Sequence, residues 1–205
     1  MSKLPYTLTE TIKDDNFQVV ITDLGETAID AVLDEGVLKE IPLFGSLFGL
    51  AKATMSIQDK LFTKKILTFL LQLKNTDKDS RRKQIEKIDS DPEYKTKVGE
   101  KLLYIIEKCE DNEKAIYLGQ LFHYYIEEKI VYEDFLRASK CIELTFIFDL
   151  KRFINEKWNI MKIEEAGDLV GSGLMTTVYE PPRIGFDAYS SGSLNIKVSA
   201  IGKLI

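Results

Sequence analysis

Ile41-Pro-Leu-Phe-Gly-Ser-Leu-Phe-Gly-Leu-Ala-Lys-Ala-Thr-Met-Ser-Ile57 is the stretch whose reading decides the expected fold. Lys52 is its single charge, and Pro42 suits the first turn of a helix, where a missing N–H leaves no bond unmade. Leu43, Phe44, Leu47, Phe48, Leu50 and Ala51 are spread round the helix and leave no broad polar face. Gly45, Gly49 and Ala53 recur at spacing four, a stripe of small residues that another helix can approach closely. Such a helix must be covered by its own chain, by a partner or by lipid. A membrane span needs about 20 mostly apolar residues, and this one falls short, with Lys52 inside it and Glu40, Asp59 and Lys60 around it. The expectation is a central helix of a soluble bundle, with Leu43, Phe44, Gly45, Leu47, Phe48, Gly49 and Ala53 as core or assembly contacts. Exposure of that helix to a partner or a membrane would require the bundle to open.

Helices able to wrap it follow along the chain. Residues 59–74 repeat apolar positions at three and four (Leu61, Phe62, Ile66, Phe69, Leu70, Leu73), with Lys60, Lys64, Lys65 and Gln72 on other faces. Asn75-Thr76-Asp77 reads as a break and a cap. Residues 79–88 are highly charged, with Ile85 and Ile88 to bury and Lys78, Arg81, Arg82, Lys83 and Lys87 on a solvated face. Ser90-Asp91-Pro92 predicts a cap followed by a proline at the first helical position, opening a helix over 92–108 that buries Val98, Leu102, Leu103, Ile105 and Ile106. Asp111 caps a helix to 128 with Ala115, Leu118, Leu121, Phe122, Tyr125 and Ile126 inward. A further helix over 131–158 carries Leu136, Ile142, Leu144, Ile147, Phe148, Leu150 and Phe153. The short connections between these helices imply antiparallel neighbours.

The two ends differ from this body. Residues 1–16 are polar with mixed charge and read as loosely ordered. Phe17-Gln-Val-Val-Ile21 suggests a strand or an extended entry, and Thr22 or Asp23 a cap for a helix over 24–38. After Trp158 the composition turns to Gly, Ser, Thr and Pro, and residues 174–179 and 194–198 are candidate strands that can pair as a hairpin. The fold class expected is mainly α: a multi-helix bundle, residues 1–158, with a small wing-like β unit, residues 159–205.

Composition narrows the function classes. The 205 residues carry a net charge of −5, with 44% hydrophobic and 30% charged residues, as a folded protein does. The acidic balance disfavours sequence-independent nucleic-acid binding, which needs Lys and Arg to neutralise phosphates. Two cysteines, Cys109 and Cys141, and an N-terminus too polar for a signal peptide point to a reducing cytosol, with peripheral membrane association as the variant. A disulfide between the two is the alternative to free thiols. No catalytic motif stands out. His123 is the single histidine, and no CxxC or HxxxH spacing exists for a metal. Within Phe122-His-Tyr-Tyr125 it reads as a half-buried member of an aromatic helix face, and no arginine precedes it as in helical ribonucleases. Gly171-Ser172-Gly173 lacks the spacing of a nucleophile elbow, and Gly202-Lys203 lacks the upstream glycine of a phosphate loop. No cofactor, metal or catalytic residue is assigned.

One resemblance extends over residues 37–155. Ile41-Pro-x-x-Gly45 with Ser56-Ile-x-Asp59-x-Leu61-Phe62-x-x-Lys65, Val98-Gly99-Glu100, Lys114-Ala115, Leu118-Gly119-x-Leu121-Phe122 and Tyr132-Glu133-x-Phe135-x-Arg137 resembles an uncharacterised bacterial all-α family. Related helical families are associated with abortive-infection, or phage-defence, loci. The resemblance implies a non-enzymatic antiviral-defence protein acting through a protein partner, through homo-oligomer assembly, or through movement of the apolar helix toward membrane. The alternative is a winged-helix DNA-binding regulator. It rests on Leu169-Val-Gly-Ser-Gly-Leu-Met175 leading into a wing, with Arg137, Lys140, Lys151 and Arg152 as contacts to DNA or a partner on the preceding helix.

Overall fold

The computed structural model describes residues 3–26, 56–94, 96–156, 160–161, 166–181, 184–185, 188–189 and 193–205. Leu43, Phe44, Gly45, Leu47, Phe48, Gly49 and Ala53 lie outside the described residues, as does the expected helix over 24–38 beyond Glu26. The protein is mainly helical, with a small antiparallel sheet near its C-terminus. The chain forms two compact units, Met1–Phe135 and Leu136–Ile205. The division falls inside a helix, ahead of the compositional change at Trp158.

The first unit begins with α1 (Lys3–Lys13) and α2 (Phe17–Glu26), where sequence alone suggests loose order and then a strand. Leu8 and Ile12, one helical turn apart, are fully buried, as are Phe17 and Ile21. Pro5 sits in the first turn of α1, where a proline is tolerated. The β-branched run of α2 therefore follows its packing rather than its strand propensity, and Thr22 and Asp23 are interior helical positions, not caps.

α3 (Ile57–Leu71) starts at Ser56, whose hydroxyl accepts from the Asp59 N–H at 3.1 Å while the Asp59 carboxylate accepts from the Ser56 N–H at 3.2 Å. Ile66, Leu67, Phe69 and Leu70 are buried, whereas Leu61, read as part of the apolar stripe, faces outward. α4 (Lys78–Ser90) is capped by Asp77, which accepts from the Ser80 N–H at 2.9 Å. α5 (Val98–Lys108) begins six residues after Pro92, because Pro92 belongs to a turn closed by Tyr94 N–H donating to the Asp91 carbonyl at 3.2 Å. Its first N–H, on Val98, is received by the Asp89 carboxylate of α4 at 2.9 Å. α6 (Asn112–Ile126) is capped by Asp111, and its expected stripe from Ala115 to Ile126 is buried.

Two glycines set how closely these helices approach. A Cβ on Gly99 of α5 would stand 2.2 Å from the Pro5 carbonyl oxygen of α1. One on Gly119 of α6 would stand 2.6 Å from the Phe69 carbonyl oxygen of α3. Both belong to the segments that carry the family resemblance.

Arg81 departs most from expectation. Read as part of a solvated face, it is fully buried. Its Nε donates to the Ile12 carbonyl at 2.7 Å, Nη1 to the Thr76 carbonyl at 2.5 Å and Nη2 to the Asp14 carbonyl at 3.3 Å. The guanidinium carbon lies 4.7 Å from the centroid of the Phe17 ring. Beside it Arg82 donates to the Lys13 carbonyl at 3.1 Å and pairs with Asp15 at 2.6 Å, and Lys78 pairs with Asp15 at 2.8 Å.

α7 (Tyr132–Leu144) and α8 (Ile147–Asn155) replace the single helix expected over 131–158. The break lies at Thr145, whose N–H and hydroxyl both bond the Cys141 carbonyl at 3.1 and 2.7 Å, and at Phe146, whose backbone turns extended at ψ 139° before the next helix. Leu144 and Phe148, expected inside, are exposed. In the second unit β2 (Met175–Glu180) and β5 (Ser193–Val198) pair antiparallel, as expected of the two candidate strands, with Thr177 opposite Ile196. β1 (Ile160–Met161) adds to the other edge of β5, giving the order β1-β5-β2, and β3 (Ile184–Gly185) pairs with β4 (Ala188–Tyr189) within the connection. Gly202 lies where a Cβ would meet the Leu174 carbonyl oxygen at 2.2 Å, so the chain end tucks under β2 as a single 3-10 turn, Gly202–Leu204. Cys109 and Cys141 are free thiols.

Replacing Arg81 by Met is expected to lower the unfolding free energy by about 3 kcal/mol or more, because buried carbonyls lose their donors. Arg81→Lys should recover only part of that loss, since an ammonium cannot span the guanidinium fork. Urea denaturation of the three proteins measures both steps.

Candidate functional site

A cavity of about 420 Å³ opens in the first unit, lined by the second half of α4, the turn after it, the end of α6 and the start of α7. Gln84, Lys87 and Ile88 come from α4, Asp91 and Tyr94 from the turn, Tyr125 and Glu128 from the end of α6, and Tyr132 and Glu133 from α7. Each wall follows from a local rule. Pro92 at the second position of its turn and the Asp91 carboxylate accepting from the Glu93 N–H at 2.9 Å aim Tyr94 back toward α7. The Tyr94 ring meets the Tyr132 ring edge-on, centroids 5.0 Å apart, and Tyr132 lies 5.4 Å from Tyr125. These rings continue an aromatic column through Phe135 and Phe122 to Phe69 in the core.

Glu128 closes α6 in an unusual way. The Lys129 N–H reaches the Tyr124 carbonyl at 2.9 Å and the Glu128 N–H the Tyr125 carbonyl at 3.0 Å, the two bonds of a Schellman ending. That ending places Glu128 at φ 58°, the left-handed region that a glycine ordinarily fills. Its side chain is held in return. Gln84 Nε2 donates to the Glu128 carboxylate at 2.7 Å, Lys83 pairs with the same oxygen, and the Tyr125 hydroxyl donates to the Gln84 carbonyl at 3.1 Å.

The titrating groups are moved away from neutrality. The Tyr94 hydroxyl donates to Glu133, and that bond, followed by burial, pushes the phenol up to about 12. Burial raises Tyr125 and Tyr132 as well, with the neighbouring carboxylates adding to it. The Lys83 ammonium holds the Glu128 carboxyl below its usual range. The walls carry the phenols of Tyr94, Tyr125 and Tyr132 and the side chains of Asp91, Glu128, Glu133 and Lys87, with Lys83 paired to Glu128. Among the described residues no group of three or more His, Cys, Asp or Glu could hold a metal ion.

Sequence reasoning pointed elsewhere. Arg137 and Lys140 are exposed on α7, Lys151 and Arg152 sit on α8, and Lys140 and Arg152 form ion pairs with Glu143 at 2.6 Å and Glu156 at 3.1 Å. The helix that the wing reading takes for recognition is divided into α7 and α8, and the described residues directly ahead of β2 form a 3-10 turn, Gly167–Leu169, followed by further turns. His123 is half-buried as expected, its Nε2 3.1 Å from Glu127 and its Nδ1 buried without a partner. Ser172 is buried, its hydroxyl donating to the Leu169 carbonyl at 3.2 Å. In the sequence Tyr125 is a core position and Tyr132 and Glu133 belong to the family pattern, while nothing singles out Tyr94 or Glu128. The one available signal was their place at helix ends. Comparison with protein-family models, curated proteins and solved structures found no match, so the functional reading rests on the chemistry of the pocket and on the motif resemblance.

Glu128→Gly is expected to be more stable than Glu128→Ala by about 1 kcal/mol, because both lose the carboxylate while only alanine keeps a Cβ in the left-handed region. Thermal unfolding of the pair isolates that backbone cost. Unfolded tyrosines ionise near about 10, whereas the folded Tyr94 holds its proton to about 12. The folded chain therefore binds more protons in that window, and unfolding free energy should fall as pH rises through it. Urea midpoints followed through this window should fall less steeply in Tyr94→Phe.

Proposed function

We propose that the chain is a non-enzymatic binding protein that engages a partner protein at the tyrosine-lined pocket between α4, α6 and α7. The carrying observation is the pocket itself: an open cavity of about 420 Å³ whose walls are aromatic rings and pre-ordered carboxylates. Tyrosine is the side chain that gives large contact area at low entropy cost, and it is enriched at protein contact surfaces. General acid–base work wants a pKa near the working pH, while Tyr94 and Glu128 are displaced in opposite directions away from it. That displacement favours recognition over catalysis. The bacterial antiviral-defence setting comes from the motif resemblance alone. Among the described residues no helix is long and apolar enough to cross a membrane, and membrane-directed movement of residues 41–57 is not needed for a contact at this pocket.

Val131, 58% exposed beside the cavity, is the place to test the contact. A photo-crosslinking amino acid at Val131, in the chain expressed from its own locus, is expected to trap a discrete protein. The same group at Val19, exposed on α2, should not. Tyr94→Ala should abolish the Val131 adduct. Identical adducts from both positions, or an adduct unaffected by Tyr94→Ala, would count against the contact.

A further inference from the structure

We propose that the outer edge of β2 pairs with the same edge of a second copy of the chain, joining two small sheets into one. The contact lies on the second unit and is independent of the pocket. Ser199 N–H donates to the Leu174 carbonyl at 3.0 Å. Leu174 and Ser199 extend the β2–β5 register by one step, since Met175 faces Val198. In an antiparallel ladder, hydrogen-bonded pairs alternate with pairs that are not. Thr176, Val178 and Glu180 therefore turn their N–H and C=O groups toward β5, while Met175, Thr177 and Tyr179 turn theirs away from it. The sheet order β1-β5-β2 leaves that side of β2 without a strand among the described residues.

An open edge is ordinarily blunted by lysine, proline, a bulge or a very short strand. β2, Met175-Thr-Thr-Val-Tyr-Glu180, has none of these: its register runs unbroken, its one charge is Glu180, and the first proline is Pro181, beyond its end. Thr176 and Thr177 are exposed, Tyr179 is 63% exposed, and Leu194 directly across from Tyr179 is 51% exposed. β1 pairs with β5 at Ile196 and Lys197. Among the described residues the outer half of β2 and β5 is thus a two-stranded ribbon, which is marginal in water until another strand joins it.

The edge is complementary to itself. With two copies antiparallel about Thr177, the two Thr177 residues face each other and Met175 of each copy faces Tyr179 of the other. All the outward N–H and C=O groups then meet partners. Thr176 falls opposite Val178, a cross-strand pair of β-branched side chains, and the Tyr179 ring meets a thioether. The two Glu180 carboxylates lie at opposite ends of the joined strands. Each stands on the face that carries Lys197 of the other copy, because Lys197 pairs with Thr176, which shares a face with Glu180. A parallel arrangement in register would instead set the two carboxylates side by side. One strand edge stays below the roughly 1,200 Å² of a stable interface, so the dimer is reversible.

Sedimentation velocity of the full chain, from low micromolar concentration to its solubility limit, is expected to show a monomer that becomes a dimer. Thr177→Pro removes an N–H that faces outward, so the β2–β5 ladder survives while self-association weakens by about tenfold or more. Val178→Pro, whose lost N–H faces β5, should instead lower the thermal midpoint, and circular dichroism separates the two. Thr177→Lys and Thr177→Glu should each stay monomeric, since like charges meet at the two-fold axis, and their mixture should dimerise. The Thr177 amide should exchange quickly in dilute solution and slowly in concentrated solution. A chain that is monomeric at every concentration overturns the proposal. A dimer unmoved by Thr177→Pro does so as well, as does a mixture of the two charge variants that behaves like either alone. Equal protection of the Thr177 amide at all concentrations also overturns it and assigns the cover of the edge to the chain's own residues.

Discussion

A buried guanidinium holds the first unit together. Arg81 brings its charge into the interior and satisfies it with the carbonyls of Ile12, Asp14 and Thr76 and the face of Phe17, while the carboxylates of Asp77, Asp14 and Asp15 act on it electrostatically. Two of those carbonyls close the end of α1, where the helix dipole is negative and a cation is favoured. The arrangement is unforgiving. A buried charge is tolerable only while its partners are all in place, so the α1 end, the turn into α2 and the Thr76 turn ahead of α4 are placed together or not at all. Arg82 and Lys78 reinforce the same turn from its solvent side through Asp15, where screening leaves an ion pair little energy of its own.

The same helix links this anchor to the pocket. Arg81 faces α1, while Gln84, Ile88 and Lys87, one and two turns later, line the cavity. Once Arg81 sets the rotation of α4, the Gln84 amide is delivered to Glu128 and the Gln84 carbonyl to the Tyr125 hydroxyl. Those bonds in turn hold Glu128 in a backbone conformation that costs about 1–2 kcal/mol for a residue with a Cβ. Glycine at position 128 would remove that cost and also the carboxylate. The retained glutamate is the kind of local compromise that marks binding surfaces more often than cores.

The second unit is governed by simpler rules. β2 and β5 pair along their full length, and close approach at Gly202 seats the last 3-10 turn against Leu174. Phe146 and Phe148 stand exposed at the start of α8, their rings 5.3 Å apart. Alternation and spacing carry no information about what such a pair touches.

Local pattern was sufficient for much of this protein. Spacing at three and four located α3, α5 and α6 and their buried stripes, Asp77 and Asp111 announced their helices by capping chemistry, and the change of composition with a turn-rich connection located β2 and β5. These features are legible because the interactions behind them lie within a turn or a strand pair. The sequence by itself also determined the charge, the thiols and the aromatic content on which the functional argument draws. Only the tertiary structure decided the rest. α1 and α2 are helices because Gly99 and Arg81, far along the chain, give them a surface to bury against. Pro92 makes a turn rather than a helix start because Tyr94 has Tyr132 to meet. The pocket is likewise a product of packing: Tyr94, Tyr125 and Tyr132 are unremarkable in one dimension, and their rings enclose a space only when three helix ends converge, a long-range event that no local propensity encodes.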